Sequence, residues 1–259
     1  MPESPPYLPP MPPTRRLLLL SNSRDPEGNF LEHPRQEIRE LLGDRVRTVL
    51  FVPYASVTKP WDDYAALARG AFERMGYGLV SIHEAAAGAV RAAEAIVGGG
   101  GNTFHLLRQL YEERLLDPIR ERVAAGVPYV GWSAGSVVAA PTMRTTNDMP
   151  IVEPPSLTAL GLVPFQINAH YTDFHPPGFQ GETRAQRLEE FVEANPGARV
   201  IGLPEGTMLR VEGDEVALLG ADVPAPLFER GRPRADFRRG DSLRVLLGGP
   251  AAGAGAPAR

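Results

Sequence analysis

Between residues 15 and 132 the chain keeps one rhythm: a short apolar run, a turn, then a stretch with helical spacing. RRLLLLS (15–21), RTVLFVP (47–53), YGLVSIH (77–83), AEAIVGG (93–99) and VPYVGW (127–132) have the length and bounding turns of strands. Between them, PRQEIRELLG (34–43), WDDYAALARGAFERMG (61–76), NTFHLLRQLYEERLL (102–116) and DPIRERVAAG (117–126) place apolar residues at helical intervals. Asn102 stands where an N-cap is needed, and glycine ends three of these four segments. A short helix is expected between 83 and 93. Strands that alternate with helices imply a mostly parallel central sheet flanked by helices on both faces, an α/β fold.

After Pro141 the rhythm changes. A loop-rich region, 141–182, contains the strand-like run that ends at His170. A helix over 182–197, a strand over 198–204, a β-hairpin over 207–220 and a last strand over 242–248 are expected to follow. The proline-rich residues 1–14 and the sequence GPAAGAGAPAR (249–259) predict disordered tails, which leaves 15–248 as a single α/β domain.

Composition narrows the function. The 259 residues carry a net charge of −4, which offers no basic surface for nucleic acid or acidic lipid. There is no cysteine, so disulfides, cysteine-bearing zinc sites and a cysteine nucleophile are excluded. No apolar run approaches the ~20 residues of a membrane span, and the N-terminus lacks the apolar core of a signal peptide. A cytoplasmic protein, a monomer or small homo-oligomer with no nucleic-acid or membrane partner, is the expectation.

Two glycine-rich turns carry the chemistry. Gly131-Trp132-Ser133-Ala134-Gly135 fits G-x-S-x-G, with a strand before it and a small-residue helix start after it. In that setting Ser133 sits on a tight strand-to-helix turn, and the Ala134 N–H points to where an oxyanion would form. Gly98 to Gly101 form a second turn between a strand and a helix, suited to close approach of backbone N–H groups to an anion. Neither G-x-G-x-x-G nor a Walker sequence fits it, so an oxyanion donor beside Ser133 is the use preferred over phosphate binding.

A serine hydroxyl needs a base. His33, His83, His105, His170 and His175 are available, and His170 ends a strand-like run. An orienting carboxylate could be Asp148 or Glu205; Glu205 follows the strand ending in Leu203-Pro204.

The stretches VGGGGNTFHLLRQL, GVPYVGWSAGS, PTMRTTNDMPIVEP, FQINAHYTD, GETRAQRLEEF and VIGLPEGT, in this order over roughly residues 95–210, resemble the peptidase E family of serine peptidases, which also contains cyanophycinase. The resemblance implies the flavodoxin-like sheet of class I glutamine amidotransferases, with a C-terminal β-hairpin. In place of the cysteine nucleophile of those enzymes it puts serine, and Thr172 stands where they carry a glutamate.

It also implies Ser133 as nucleophile, His170 as general base, and Glu205 or Asp148 as the third member. Glu205 is preferred because a strand end positions a side chain more rigidly than a loop; Asp148 would then hold the substrate's amine. Gly99 or Gly100 and Ala134 would hold the oxyanion. Arg184 would grip an aspartate side chain, with Asn102 and Arg144 as further substrate contacts. The activity implied is hydrolysis of Asp-X dipeptides through an acyl-enzyme, with no metal or organic cofactor. The rivals are a cyanophycinase-like or other small-peptide hydrolase, and a non-catalytic sensor that uses the same pocket.

Overall fold

The computed structural model describes residues 15–86, 88–178 and 180–248. The two tails expected at 1–14 and 249–259 lie outside the described residues.

The chain runs β1 (Arg16–Leu20), α1 (Arg35–Leu42), β2 (Thr48–Val52), α2 (Trp61–Met75), β3 (Gly78–Ser81), α3 (Ala89–Ala92), β4 (Ile96–Gly98), α4 (Thr103–Glu112), α5 (Leu116–Ala124), β5 (Tyr129–Trp132) and α6 (Ala134–Val137). It continues through β6 (Gln166–Tyr171), α7 (Arg184–Ala194), β7 (Arg199–Pro204), β8 (Thr207–Glu212), β9 (Glu215–Gly220), β10 (Ala225–Glu229) and β11 (Ala235–Phe237). Seven strands form the main sheet in the order β3-β2-β4-β5-β1-β8-β9. The five strands from β3 to β1 pair in parallel, and the β8–β9 hairpin joins β1 antiparallel.

The centre of this sheet is dry on both sides. Leu17 to Leu20 of β1 are all fully buried, each worth roughly 1.5–3 kcal/mol of transfer free energy. Successive side chains of a strand point to opposite faces. Leu18 and Leu20 accordingly meet Ile38 and Leu41 of α1 and Ala68 and Phe72 of α2. Leu17 and Leu19 join the opposite core, with Leu106 and Leu107 of α4 and Ile119 of α5.

That opposite core holds an element the strand count alone does not foresee. Strands β6, β7, β10 and β11 form a second, four-stranded sheet in the order β11-β10-β7-β6, separate from the main sheet. Ile167, Ile201, Leu203 and Leu227 pack its inner face into the core shared with β1. Leu188 and Val192 of α7 cover the outer face, against Val200 and Phe228.

Two local expectations are corrected. Residues 242–248 do not form a strand: Ser242 makes an isolated bridge to Ala217, and Arg244–Leu247 is a turn of 3-10 helix. It buries Val245 and Leu246, adjacent residues that a strand would point to opposite faces. The strand expected to reach His83 stops at Ser81, and residues 82–84 form another 3-10 turn.

Candidate active site

Ser133 lies at the C-terminal edge of the main sheet, on the one-residue joint between β5 and α6. Its backbone takes φ 51° and ψ −115°, a conformation rare for a residue with a side chain. Neighbours hold the joint from several directions. The Ser133 N–H donates to Leu20 O (3.1 Å), and Ser136 Oγ bonds both Leu20 O (2.7 Å) and Gly131 O (2.8 Å). Tyr129 OH donates to Gly135 O (2.8 Å). Gly135 is pressed so closely on β4 that a Cβ there would stand 2.1 Å from Gly98 O.

The second sheet delivers the partner of Ser133. His170 Nε2 is 2.9 Å from Ser133 Oγ, and His170 Nδ1 is 2.8 Å from Glu205 Oε1. Both residues sit at strand ends: His170 near the end of β6, Glu205 one residue past β7. Pairing runs Ala169↔Leu203 and then Tyr171↔Pro204, so His170 is an extra residue in a bulge, with φ 53°. The bulge turns the imidazole towards the serine. Its backbone N–H donates to Ser21 Oγ (2.9 Å), which in turn donates to Leu203 O (2.7 Å). Ser21, just past β1, thereby ties the edges of the two sheets together. Glu205 is 68% exposed, so water screens its attraction for the imidazole. Orienting the ring, with Nδ1–H towards Glu205 and the Nε2 lone pair towards Ser133, is what this contact does best.

The four other histidines do not reach Ser133. His83 bonds Ser81 Oγ (2.7 Å) and Asp62 Oδ1 (2.8 Å), a second Ser-His-Asp grouping, but Ser81 is fully buried and closed to any substrate. His105 Nδ1 is bonded to Tyr54 O (2.6 Å). His33 lies in the β1–α1 connection, with neither ring nitrogen hydrogen-bonded among the described residues. His175 lies in the loop after β6.

The glycine turn meets Ser133 as expected, since a Cβ on Gly100 would be 3.0 Å from Ser133 Cβ. The donors expected at Gly99 and Gly100 are nevertheless taken. Gly99 N–H donates to Val52 O (3.0 Å) and Gly100 N–H to Tyr64 OH (3.0 Å). Tyr64 OH also accepts from Trp132 Nε1 (2.8 Å) and donates to Gly100 O (3.1 Å). Burial pushes this phenol up to about 12, so it remains a neutral hub for the turn. The N–H without a partner among the described residues is that of Gly101, the next residue along, whose φ of 141° suits only glycine. Ala134 N–H, at the start of α6, also has no partner among the described residues.

Asp148 makes no bond to His170. Its Oδ2 accepts from the Thr103 N–H (2.7 Å), from Thr103 Oγ1 and from Thr146 Oγ1 (3.1 Å), which places a carboxylate at the N-terminus of α4, where the helix dipole favours it. Asn102 caps α4 as expected, accepting from the His105 N–H (3.0 Å), but its Nδ2 donates to Met149 O (2.8 Å). One of its two amide hydrogens is therefore used inside the protein.

Arg144 lies beside the opposite end of β6 from His170. Residues 142–147 run alongside β6, with Thr142 on Gln166 (2.9 Å), Thr145 on Ile167 (2.8 Å) and Asn147 on Ala169 (2.7 Å). Arg144 lies near the start of that strand, bonded to Asn195 (3.3 Å) at the C-terminal end of α7. Arg184, by contrast, opens α7 just after a Thr183–Gln186 capping box. It is half-buried, has no ion-pair partner among the described residues, and burial lowers its pKa. A guanidinium in that position keeps its planar fork available for a carboxylate.

The model of peptidase family S51 matches residues 17–219. A protein named peptidase E from Nostoc sp. is 48% identical over 236 residues, covering 90% of this chain and 97% of the relative. Another peptidase E, from Shewanella amazonensis, is 48% identical over 234 residues, covering 90% and 99%. A solved structure of a peptidase from an acI-B1 actinobacterium superposes with a TM-score of 0.66 at 20% identity, covering 89% of this chain and 96% of that one. No described helix is long and apolar enough to cross a membrane. With a serine elbow and imidazole in contact, a family model spanning most of the sequence, and relatives close to half identical along nearly their whole length, the chain belongs to peptidase family S51 and is a serine-type peptidase.

Proposed function

We propose that this peptidase hydrolyses dipeptides with an N-terminal aspartate through an acyl-enzyme on Ser133. The contact of 2.9 Å between Ser133 Oγ and His170 Nε2 is the observation that carries the chemistry, and the unpaired, half-buried Arg184 supports the substrate.

The substrate's aspartate side chain pairs with Arg184, and its α-amine lies towards the Oδ1 of Asp148, which accepts no hydrogen bond within the described residues. Ser133 gives its proton to His170 Nε2 and attacks the peptide carbonyl. The oxyanion is held by the N–H groups of Ala134 and Gly101, the latter replacing the Gly99 and Gly100 donors that are already bonded. Glu205 accepts from Nδ1–H and stabilises the imidazolium. His170 then passes the proton to the leaving amine. Water, activated by the same imidazole, cleaves the ester and restores Ser133.

The test compares wild type, Ser133→Ala and Arg184→Ala on Asp-Leu and Ala-Leu. Wild type should cleave Asp-Leu and not Ala-Leu, and Ser133→Ala should lose at least roughly 10^4-fold in kcat. Arg184→Ala should lose roughly 100-fold in kcat/KM on Asp-Leu, the scale of one charge-assisted contact. Its Ser133 should still react at the wild-type rate with a small uncharged phosphonate. Equal cleavage of the two peptides by wild type would overturn the substrate assignment and leave the serine chemistry standing.

A further inference from the structure

Next to His170 in the chain, at Tyr171, begins a cluster of side chains that the proposed reaction does not use. Arg234, immediately before β11, grips Asp173 with two bonds, Nη1 to Oδ1 (2.7 Å) and Nη2 to Oδ2 (2.8 Å). Its Nη1 also donates to Tyr171 OH (3.1 Å) and its Nε to Asp236 Oδ1 (2.7 Å). Tyr171 OH donates to Asp173 Oδ1 (2.6 Å). The guanidinium carbon lies 5.7 Å from the centre of the Tyr171 ring and 6.0 Å from that of Phe228. Beneath, the Tyr171 ring presses on Gly202, where a Cβ would be 2.6 Å from it. A side chain that is 3% exposed is thus fixed on its ring face, at its edge and at its hydroxyl.

The place of Tyr171 in the register gives this clamp its meaning. Tyr171 follows His170 and pairs with Pro204, and Glu205 follows Pro204. The pair Tyr171↔Pro204 is therefore one residue from His170 and one from Glu205, and it closes the bulge on which His170 stands. If Tyr171 shifts, the bulge relaxes and the imidazole loses its aim at Ser133. Arg234 comes from residues beyond 219, where the match to the family model ends.

We propose that Arg234 is a positioning residue for the His170–Glu205 pair: by clamping Tyr171 and Asp173 it fixes the bulge that points the imidazole at Ser133. This rests on the reading of Ser133 and His170 as nucleophile and base. It differs from an ordinary surface staple, which would hold the C-terminal strands to the body and leave the chemistry alone.

The experiment uses Arg234→Ala, Arg234→Lys and Tyr171→Phe in the full chain. Two readouts are taken: steady-state kinetics on Asp-Leu, and the imidazole signals of 15N-histidine-labelled protein, with His170 assigned by its loss in His170→Gln. Arg234→Ala should lower kcat about 10-fold with KM within twofold of wild type, as expected of a misaimed base. The His170 ring signals should move while those of His83 and His105 stay. Arg234→Lys, with one point contact in place of the fork, should recover part of the loss, and Tyr171→Phe should lie between wild type and Arg234→Ala. A lower melting temperature with kcat and His170 signals unchanged would overturn the proposal, as would a loss confined to KM. If wild type does not cleave Asp-Leu, the substrate assignment fails, and the His170 signals together with the rate of phosphonate labelling at Ser133 still decide the role of Arg234.

Discussion

At the scale of single residues, two acids that the sequence leaves as alternatives hold different positions. Glu205 meets the imidazole, and Asp148 meets the start of α4. Glu205→Gln should therefore lower kcat by roughly 10^2-fold or more at nearly constant KM, because the ring loses its orienting carboxylate. Asp148→Asn keeps an acceptor for the Thr103 N–H but removes the charge, and should raise KM for Asp-Leu while leaving kcat close to wild type. Separate kcat and KM values for the two variants check both statements. His33 offers a pH test. Burial, opposed by nearby Asp25, lowers its pKa below the ordinary 6.5, so the folded protein resists protonating it. Its contribution to stability is complete above pH 6.5 and is lost as pH falls through the lowered folded value. Urea midpoints should drop over that range in wild type and drop less in His33→Phe. The serine was legible from its own neighbours, since an elbow is a local object made by glycines two residues to either side. The internal hydrogen bonds of the glycine turn were not. Which N–H remains free at Gly99, Gly100 or Gly101 depends on Val52 and Tyr64, far away in sequence. The internal partners of Arg144 and Asn102, Asn195 and Met149, were hidden for the same reason, because they come from segments whose placement only the tertiary fold sets.

Among the elements, the alternating strands and helices up to β5 were readable because each buries a continuous apolar run or an amphipathic stripe, a pattern written in consecutive residues. The later part was harder. β10 and β11 are short and carry proline, glutamate and aspartate, and what makes them strands is an edge to pair with: β10 lies on the open edge of β7, and β11 on that of β10. The last 3-10 turn was mistaken for a strand because a short apolar run looks the same in either state. Packing of elements also sets the tightest constraint on sequence. α6 lies against β4 with no gap at Gly135, where an added methyl would fall 2.1 Å from a carbonyl oxygen that cannot rotate aside. Gly135→Ala should destabilise the protein by at least ~2 kcal/mol and displace the serine elbow. A denaturant titration together with the phosphonate labelling rate of the folded variant would measure the two effects.

On the scale of the whole molecule, the hydroxyl comes from one sheet and the imidazole and carboxylate come from the other. The sheets share an apolar core, which holds them face to face without fixing a rim to a fraction of an ångström. Ser21 supplies that finer tie, accepting from one strand of the second sheet and donating to its neighbour. Mild urea should consequently abolish peptide cleavage before far-UV circular dichroism changes, and Ser21→Ala should widen the interval between the two transitions; coincident curves would count against this. If the curves separate, the enzyme works as a gauge of its own assembly: a slippage too small to melt any strand is already enough to silence it.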